Sequence, residues 1–253
     1  MFWDDLELAS APDDGPVAFR DDLSPAVLLD AYRHGLYPFP AETEEQKILS
    51  EVSYEGFVPA FGDDPYGVAW CSPDPRPVIR AGRARVQRSL RQQLRKVDWT
   101  TTLDVCFDRV VEHCRAGRAP QWLTDRLVAG LLALHAEGHA HSVEVWDGDQ
   151  LIGGTFGVRV GGVFSADSQF TLVSGAAKVA VACLVRRVAD AGGVAVDVQH
   201  DGNHAKLIGA EPVPRADYLA LLAKHANDGG ELPAGRLPAR RLAEPVVIDG
   251  LAA

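Results

Sequence analysis

The sequence predicts an α+β protein on three observations. Residues 143–170 carry an alternating apolar pattern broken by two glycine turns, the mark of an antiparallel meander. Residues 103–114, 124–136 and 181–188 hold apolar side chains at helical spacing, i, i+3, i+4 and i+7. The apolar runs, such as VAVACLV at 179–185, are far shorter than the roughly 20 residues that span a bilayer, so no membrane association is expected.

Taken in order, the chain begins with MFWDDLELAS, acidic where a signal peptide needs positive charge, so a cytoplasmic protein is expected. Ser24 caps a helix in LSPAVLLDAYRHG, with Pro25 at its first position and Gly35 as its stop. YPFP and then residues 41–66, rich in Glu, Asp, Gly and Pro, read as a long surface insertion. WCSPDPRPVI turns twice at its prolines. Leu103, Cys106, Phe107, Val110, Val111 and Cys114 predict one helix, and a second starts at Thr124 and stops at Gly138. Val143 and Val145, an Asp147-Gly148 turn, residues 151–160, a Gly161-Gly162 turn and residues 163–170 predict three antiparallel strands. A helix through Val181, Leu184, Val185 and Val188, a strand in VAVDVQ and a helix in DYLALLAKHA follow. This order resembles the core of an acetyltransferase-like (GNAT-like) fold. The expected organisation is a smaller N-terminal α/β domain over residues 1–100, with the acidic insertion 41–66 and a basic segment 76–96, followed by a GNAT-like catalytic domain over 101–253.

The net charge of −10 is unevenly spread: residues 1–66 hold fifteen acids against three bases, leaving +2 on the remainder. Between Asp74 and Asp98 there is no acid, while Arg76, Arg80, Arg83, Arg85, Arg88, Arg91, Arg95 and Lys96 supply eight positive charges, a patch of the size that binds a polyanion. A solvated helix face is the alternative. Cys71, Cys106, Cys114 and Cys183 form no CxxC pair and are expected to stay reduced. His135, His139 and His141 in HAEGHAHSVEVW straddle a helix end, a turn and a strand start. Ligands so spread rarely converge on one ion, so packing histidines and no metal are expected.

LSPAVLLDAYRHGLYPF, SPDPR, RSLRQQLRK, GHAHSVEVW, the glycines at 153 and 154, and DVQ followed by LIGAEPVPRADYL stand in a telling order. On these residues the chain resembles the leucyl/phenylalanyl-tRNA–protein transferases from residue 22 to about 222, interrupted by 41–66. The resemblance implies transfer of Leu or Phe from aminoacyl-tRNA to the N-terminal amine of a protein beginning with Arg or Lys. An amide replaces an ester, so the protein must position the groups, deprotonate the amine and stabilise the oxyanion, without a cofactor.

The resemblance also implies roles. Asp197 and Gln199 match the D-x-Q motif at a strand end, where side chains two apart share one face. The family proposal gives the amine proton to the Gln carbonyl. An amide is a very weak base, so Gln199 is expected to orient and Asp197 to supply the charge that makes proton loss feasible. A buried pair bonding only backbone is the structural alternative. Asp167 replaces the glutamate of GESMF and is expected to hold the acceptor's charged N-terminus, with a reach shorter by roughly 1.5 Å.

Phe39, Trp122, Thr155, Phe164, Ser168, Gln169, Phe170, Leu184 and Val196 are the candidate substrate-binding residues. Ser165-Ala166 replaces Cys-Gly, Gln169 replaces a methionine, and Thr155 stands where a bulkier apolar residue is usual. A Gln and a Thr are unsatisfied around a purely apolar side chain: either both point away or another amino acid is carried. Trp122 and Phe39 are candidates for stacking on the terminal adenosine, with core packing as the alternative. Arg88, Arg91, Arg95 and Lys96 match the family's basic helix, whose contacts go to phosphates. Arg76 either joins them or pairs with Asp74.

Three rivals remain at this stage. A divergent paralogue would use a small-molecule amine as acceptor. An acyl-CoA acetyltransferase would need Q/R-x-x-G-x-G/A, which TLVSGAAK lacks. A non-catalytic tRNA-binding protein would tolerate replacement of Asp197 or Gln199.

Overall fold

The computed structural model describes residues 2–117, 121–200 and 202–244. Its elements are β1 (Pro16–Arg20), α1 (Pro25–Arg33), β2 (Tyr37–Pro40), α2 (Glu44–Tyr54), β3 (Ala60–Phe61), β4 (Val68–Cys71), β5 (Arg76–Arg80), α3 (Arg88–Leu94), β6 (Thr100–Leu103) and α4 (Phe107–Arg115). They continue with α5 (Asp125–Ala136), β7 (Ala140–Asp147), β8 (Gln150–Val160), β9 (Val163–Thr171), α6 (Ala176–Asp190), β10 (Ala195–Asp197), α7 (Asn203–Ile208), β11 (Glu211–Val213), α8 (Arg215–Lys224) and β12 (Leu237–Pro238). The α+β class is as expected. No helix among the described residues is long and apolar enough to cross a membrane.

The strands form a small sheet ordered β2-β4-β1-β3 and a large one ordered β11-β5-β10-β9-β8-β7-β6-β12. The predicted meander is the centre of the large sheet: Asp147 pairs with Gln150 and Val160 with Val163, each across a two-residue turn. Gly148 and Gly161 take positive φ there (57° and 53°), which glycine adopts without a Cβ penalty. β10 then lies parallel to β9, a pairing that needs a crossover, and α6 supplies it.

Helices cover both faces of this sheet. Phe107, Val110, Leu131 and Phe156 belong to a core under α4 and α5 that continues through Leu28, Tyr32 and Trp70 into the small sheet. On the other face Val143, Val145, Phe164 and Val196 pack with Leu184 and Val185 of α6 and with Leu90 and Leu94 of α3. Burying one such side chain is worth about 1.5–3 kcal/mol, which holds both helix layers on the sheet.

Two expectations change. The 41–66 segment is not a bare loop: Thr43 accepts from the Gln46 amide and Gln46 reaches back, a capping box that starts α2, and Val58 and Tyr66 bury against Phe19. The large sheet also begins earlier than residue 101. β5 pairs with both β10 and β11, so the chain passes from one sheet to the other between Cys71 and Arg76, and α3 packs with the large sheet.

Candidate active site

The site is built on an irregularity in β9. Phe156 pairs with Ser168 and Gly157 with Ala166, so Asp167 is an extra, unpaired residue, a β-bulge. Gly157 permits it, because a Cβ there would lie 1.9 Å from the Ser165 carbonyl oxygen. The extra residue also shifts side-chain parity. Phe164 and Phe170, six apart, face opposite cores, Phe164 toward α6 and Phe170 toward α4, where it stacks on His113.

Around the bulge a hydrogen-bonded chain of side chains converges. Tyr32 donates to Asp167 Oδ2 (2.7 Å), and Gln199 Nε2 donates to Asp167 Oδ1 (2.7 Å) and Ser165 Oγ (3.1 Å). Ser165 donates in turn to Asp197 Oδ2 (3.3 Å). Both amide hydrogens of Gln199 are thus engaged, which directs Oε1 away from Asp167 and Ser165. The strand stops at Asp197, so Gln199 is not its extended neighbour as the D-x-Q reading expected. Gln199 sits at φ 62°, a left-handed conformation that a non-glycine residue adopts at a cost, held by its own N–H donating to Asp197 Oδ1 (2.8 Å).

Asp197 is fully buried, and its partner is Arg76. Arg76 donates from Nε (3.3 Å) and Nη2 (2.5 Å) to the carboxylate and from Nη1 to Gly35 O (2.7 Å). Tyr218 donates to Asp197 at 3.1 Å, and the guanidinium lies 4.5 Å from the Tyr218 ring and 5.2 Å from that of Tyr37. Arg76 is therefore not a phosphate contact, and its partner is not Asp74: with 1% of its surface exposed it is the counter-ion of Asp197.

The electrostatics follow. Burial pushes the Asp167 carboxyl up to about 8; the Tyr32 and Gln199 hydrogen bonds oppose this, and the Asp197 charge adds to it. Burial holds the Tyr32 and Tyr218 phenols well above their ordinary range, so both remain donors. His200 is held below its usual range by burial and by the Arg76 charge.

Asp167 opens onto a cavity of about 290 Å³. Thr155, Ser168 and Gln169 line it together with Ala166, another position at which the sequence departs from the family's pocket, and with Val181, Val198, His200, Ala205 and Ile208, which sequence reasoning did not select. The Thr155 hydroxyl is buried and donates to Ser168 O (2.8 Å), so an apolar occupant leaves it satisfied. Phe164, Leu184 and Val196 do not line the cavity; they lie behind it in the α6 core, and Phe170 faces the other side. The bulge parity explains why the Phe164 and Phe170 assignments could not both hold.

Phe39 and Trp122 stack on each other, centroids 5.7 Å apart and planes at 21°, with Phe39 38% exposed, so core packing does not account for Phe39. Arg80, Arg83, Arg85, Arg88, Arg91, Arg95 and Lys96 are all exposed around β5 and α3. His135 stacks on Phe107 and bonds Ala140 O, while His141 pairs with Asp104 at 2.7 Å. Tyr32, Tyr37, Tyr218 and the Gly35 carbonyl were missed as site groups, although all lie within the quoted motifs LSPAVLLDAYRHGLYPF and RADYL.

The family model described as leucyl/phenylalanyl-tRNA protein transferase matches residues 78–223. Relatives bearing that name are 37% identical over 230 residues in Shewanella piezotolerans (90% of this chain, 88% of the relative) and 38% over 217 in Xanthomonas euvesicatoria pv. vesicatoria (84% and 78%). A third, in Xanthomonas axonopodis pv. citri, is 35% identical over 243 residues, covering 90% of this chain and 89% of the relative. With a match of this length running through both the bulged strand and the Asp197–Gln199 turn, the chain belongs to the leucyl/phenylalanyl-tRNA–protein transferase family.

Proposed function

We propose that the chain moves leucine or phenylalanine from its tRNA to the N-terminal amine of a protein beginning with Arg or Lys. The observation that carries this reading is that Asp167, hydrogen-bonded to Gln199, lines a cavity to which Val181, Val198, Ala205 and Ile208 give an apolar wall. The apolar wall suits a Leu or Phe side chain, at roughly 0.8 kcal/mol per buried methylene. The exposed Phe39–Trp122 pair is the proposed platform for the terminal adenosine. The exposed arginines of β5 and α3, without Arg76, are the proposed phosphate contacts.

In the reaction the acceptor nitrogen attacks the ester carbonyl, its N–C bond forms, and the bond to the tRNA 3′-terminal oxygen breaks. Gln199 Oε1 accepts a hydrogen bond from the amine and aligns it. Asp167, the carboxylate whose pKa of about 8 is nearest the working range, takes the proton and returns it to the leaving oxygen. This reassigns the proton step from Asp197, whose charge is matched by Arg76 and which has no surface in the cavity. Asp197 is then a positioning residue that fixes the Gln199 turn.

The GNAT-like assignment belongs to this proposal, supported by the sequence β7-β8-β9-α6-β10 with a parallel β9–β10 pair. So does the two-domain division, with its boundary moved to the link between β4 and β5. With a charged tRNA as donor, the proposed place of action is the cytoplasm. The small-molecule acceptor gains no support, since the relatives carry the protein-transferase name.

The test is to incubate the purified protein with a full set of charged tRNAs and a peptide beginning with Arg, and to weigh the peptide. Addition of one Leu or Phe is expected. An unchanged peptide alongside tight binding of one aminoacyl-tRNA would refute the acceptor assignment.

A further inference from the structure

We propose that a second anion site, formed by Arg91, Arg186 and Arg241, grips a backbone phosphate of the donor tRNA near its aminoacylated end. The site rests on the reading that the donor is a charged tRNA, and it extends the basic surface beyond the β5–α3 segment onto two elements outside the basic run 76–96.

The three arginines line one cleft of about 180 Å³, and each comes from a different element: α3, α6, and the 3₁₀ turn Ala239–Ala243. Their convergence is built by the fold. Arg187, 1% exposed, donates to the carbonyls of Pro233 and Gly235 and so straps the C-terminal segment to α6. Ala239 N–H then donates to Trp99 O (2.8 Å), and Ala239 and Ala243 bury beside Leu90 and Leu94 of α3. This seats Arg241 opposite α3. Arg91 is itself oriented, its Nε donating to Val86 O (2.9 Å), which leaves the outer edge of its fork for a ligand.

Three guanidiniums face one carboxylate on the cleft wall, Glu244. Arg186 also meets Asp190 at 3.4 Å, but both side chains are more than 40% exposed, and such a pair is weak and exchanges readily with a phosphate. The cleft therefore carries a positive excess in a concave setting.

Its place relative to the cavity identifies the occupant. Val181 of α6 lines the aminoacyl cavity while Ala182, Val185 and Arg186 of the same helix line the cleft, so one helix borders both. Arg91 belongs both to the cleft and to the exposed basic residues of α3, so the cleft continues the surface proposed for the tRNA phosphates. A strand that follows this surface with its 3′ end in the cavity thus carries a phosphate to the cleft.

The experiment compares wild type with R186A/R241A on two donors: full leucyl-tRNA, and a leucyl-adenosine ester that has the reacting end but no further phosphates. Dissociation constants for the tRNA are taken across a salt series. The double variant is expected to bind full tRNA roughly tenfold more weakly at about 0.1 M salt, the loss of about 1.4 kcal/mol. Its log–log salt slope should flatten by about 0.7, for one single-strand phosphate contact. Transfer from the leucyl-adenosine ester should stay at the wild-type rate, and R186K/R241K should keep most of the slope. Unchanged tRNA affinity and slope would overturn the site while leaving the proposed function standing. Equal losses on both donors would also overturn it, by showing that the arginines support the fold. A wild type that uses neither donor would sink the functional reading itself, and the tRNA-phosphate assignment with it.

Discussion

Replacing Asp197 by Asn tests whether the buried ion pair organises the site. Asp197 and Arg76 are 0% and 1% exposed, and the guanidinium makes three hydrogen bonds, two to Asp197 and one to Gly35 O. Asparagine keeps the shape but removes the charge, and its amide cannot accept from Arg76 Nη2, Ser165 and Tyr218 together. Breaking a buried pair in this way costs about 3–5 kcal/mol, because the remaining ion has no counter-charge. Against a total stability of about 5–15 kcal/mol, that is a large fraction. In urea unfolding at pH 7, with a slope of about 2–3 kcal/mol/M, the midpoint should fall by about 1–2 M. Arg76→Met should cost a similar amount by stranding the carboxylate. Arg76→Met/Asp197→Leu should cost clearly less than the sum, with a coupling of about 2–3 kcal/mol. Single variants that lose less than about 1 kcal/mol, or losses that simply add, would refute the account of Arg76 as the counter-ion.

Gly157→Ala should lose at least about 1–3 kcal/mol of thermal stability and most activity, because its Cβ meets the Ser165 carbonyl at 1.9 Å and the bulge must open; wild-type kinetics would contradict this. Phe39→Ala should weaken aminoacyl-tRNA binding by about 1–3 kcal/mol in an anisotropy titration without moving the unfolding midpoint much. Thr155→Val should keep activity with Leu and Phe, and lose about 1 kcal/mol in urea unfolding through the bond to Ser168 O. The Asp167 carboxyl has its pKa raised to about 8, so its favourable contribution is complete below about pH 4 and is lost as pH rises through about 8. The Asp167→Asn variant should therefore gain stability relative to wild type as pH rises over that window, measured as unfolding midpoints at several pH values.

Much of the scaffold was legible because its signals are local. The turns at Gly148 and Gly161 and the alternation between them specify β7, β8 and β9, and the spacing of Val181, Leu184, Val185 and Val188 specifies α6. What was hidden depends on contacts between distant segments. Arg76 opens a run of basic residues, and nothing local distinguishes it from Arg80; only the pairing of β5 with β10 turns its side chain inward beside Asp197, 121 residues away. The bulge at Asp167 is a one-residue slip in register, invisible in composition, yet it decides which of Phe164 and Phe170 faces α6. The capping box of Thr43 and Gln46 could have revealed α2, but the Glu, Asp, Gly and Pro content around it read as loop.

The most direct test of the central claim, that Asp167 carries the proton beside Gln199, is the pH dependence of single-turnover transfer from leucyl-tRNA to an Arg peptide. In wild type the rate should rise with pH through a midpoint near about 8 and level off above it, as the carboxylate forms. The α-amine of the acceptor titrates nearby, at about 7.7–8.0, so Asp167→Asn is the deciding comparison. The variant should be slower by about 10²–10⁴-fold, the range of general base catalysis, with only the acceptor's titration left in its profile. A variant that keeps the wild-type rate and profile would contradict the assignment and return the proton step to another group.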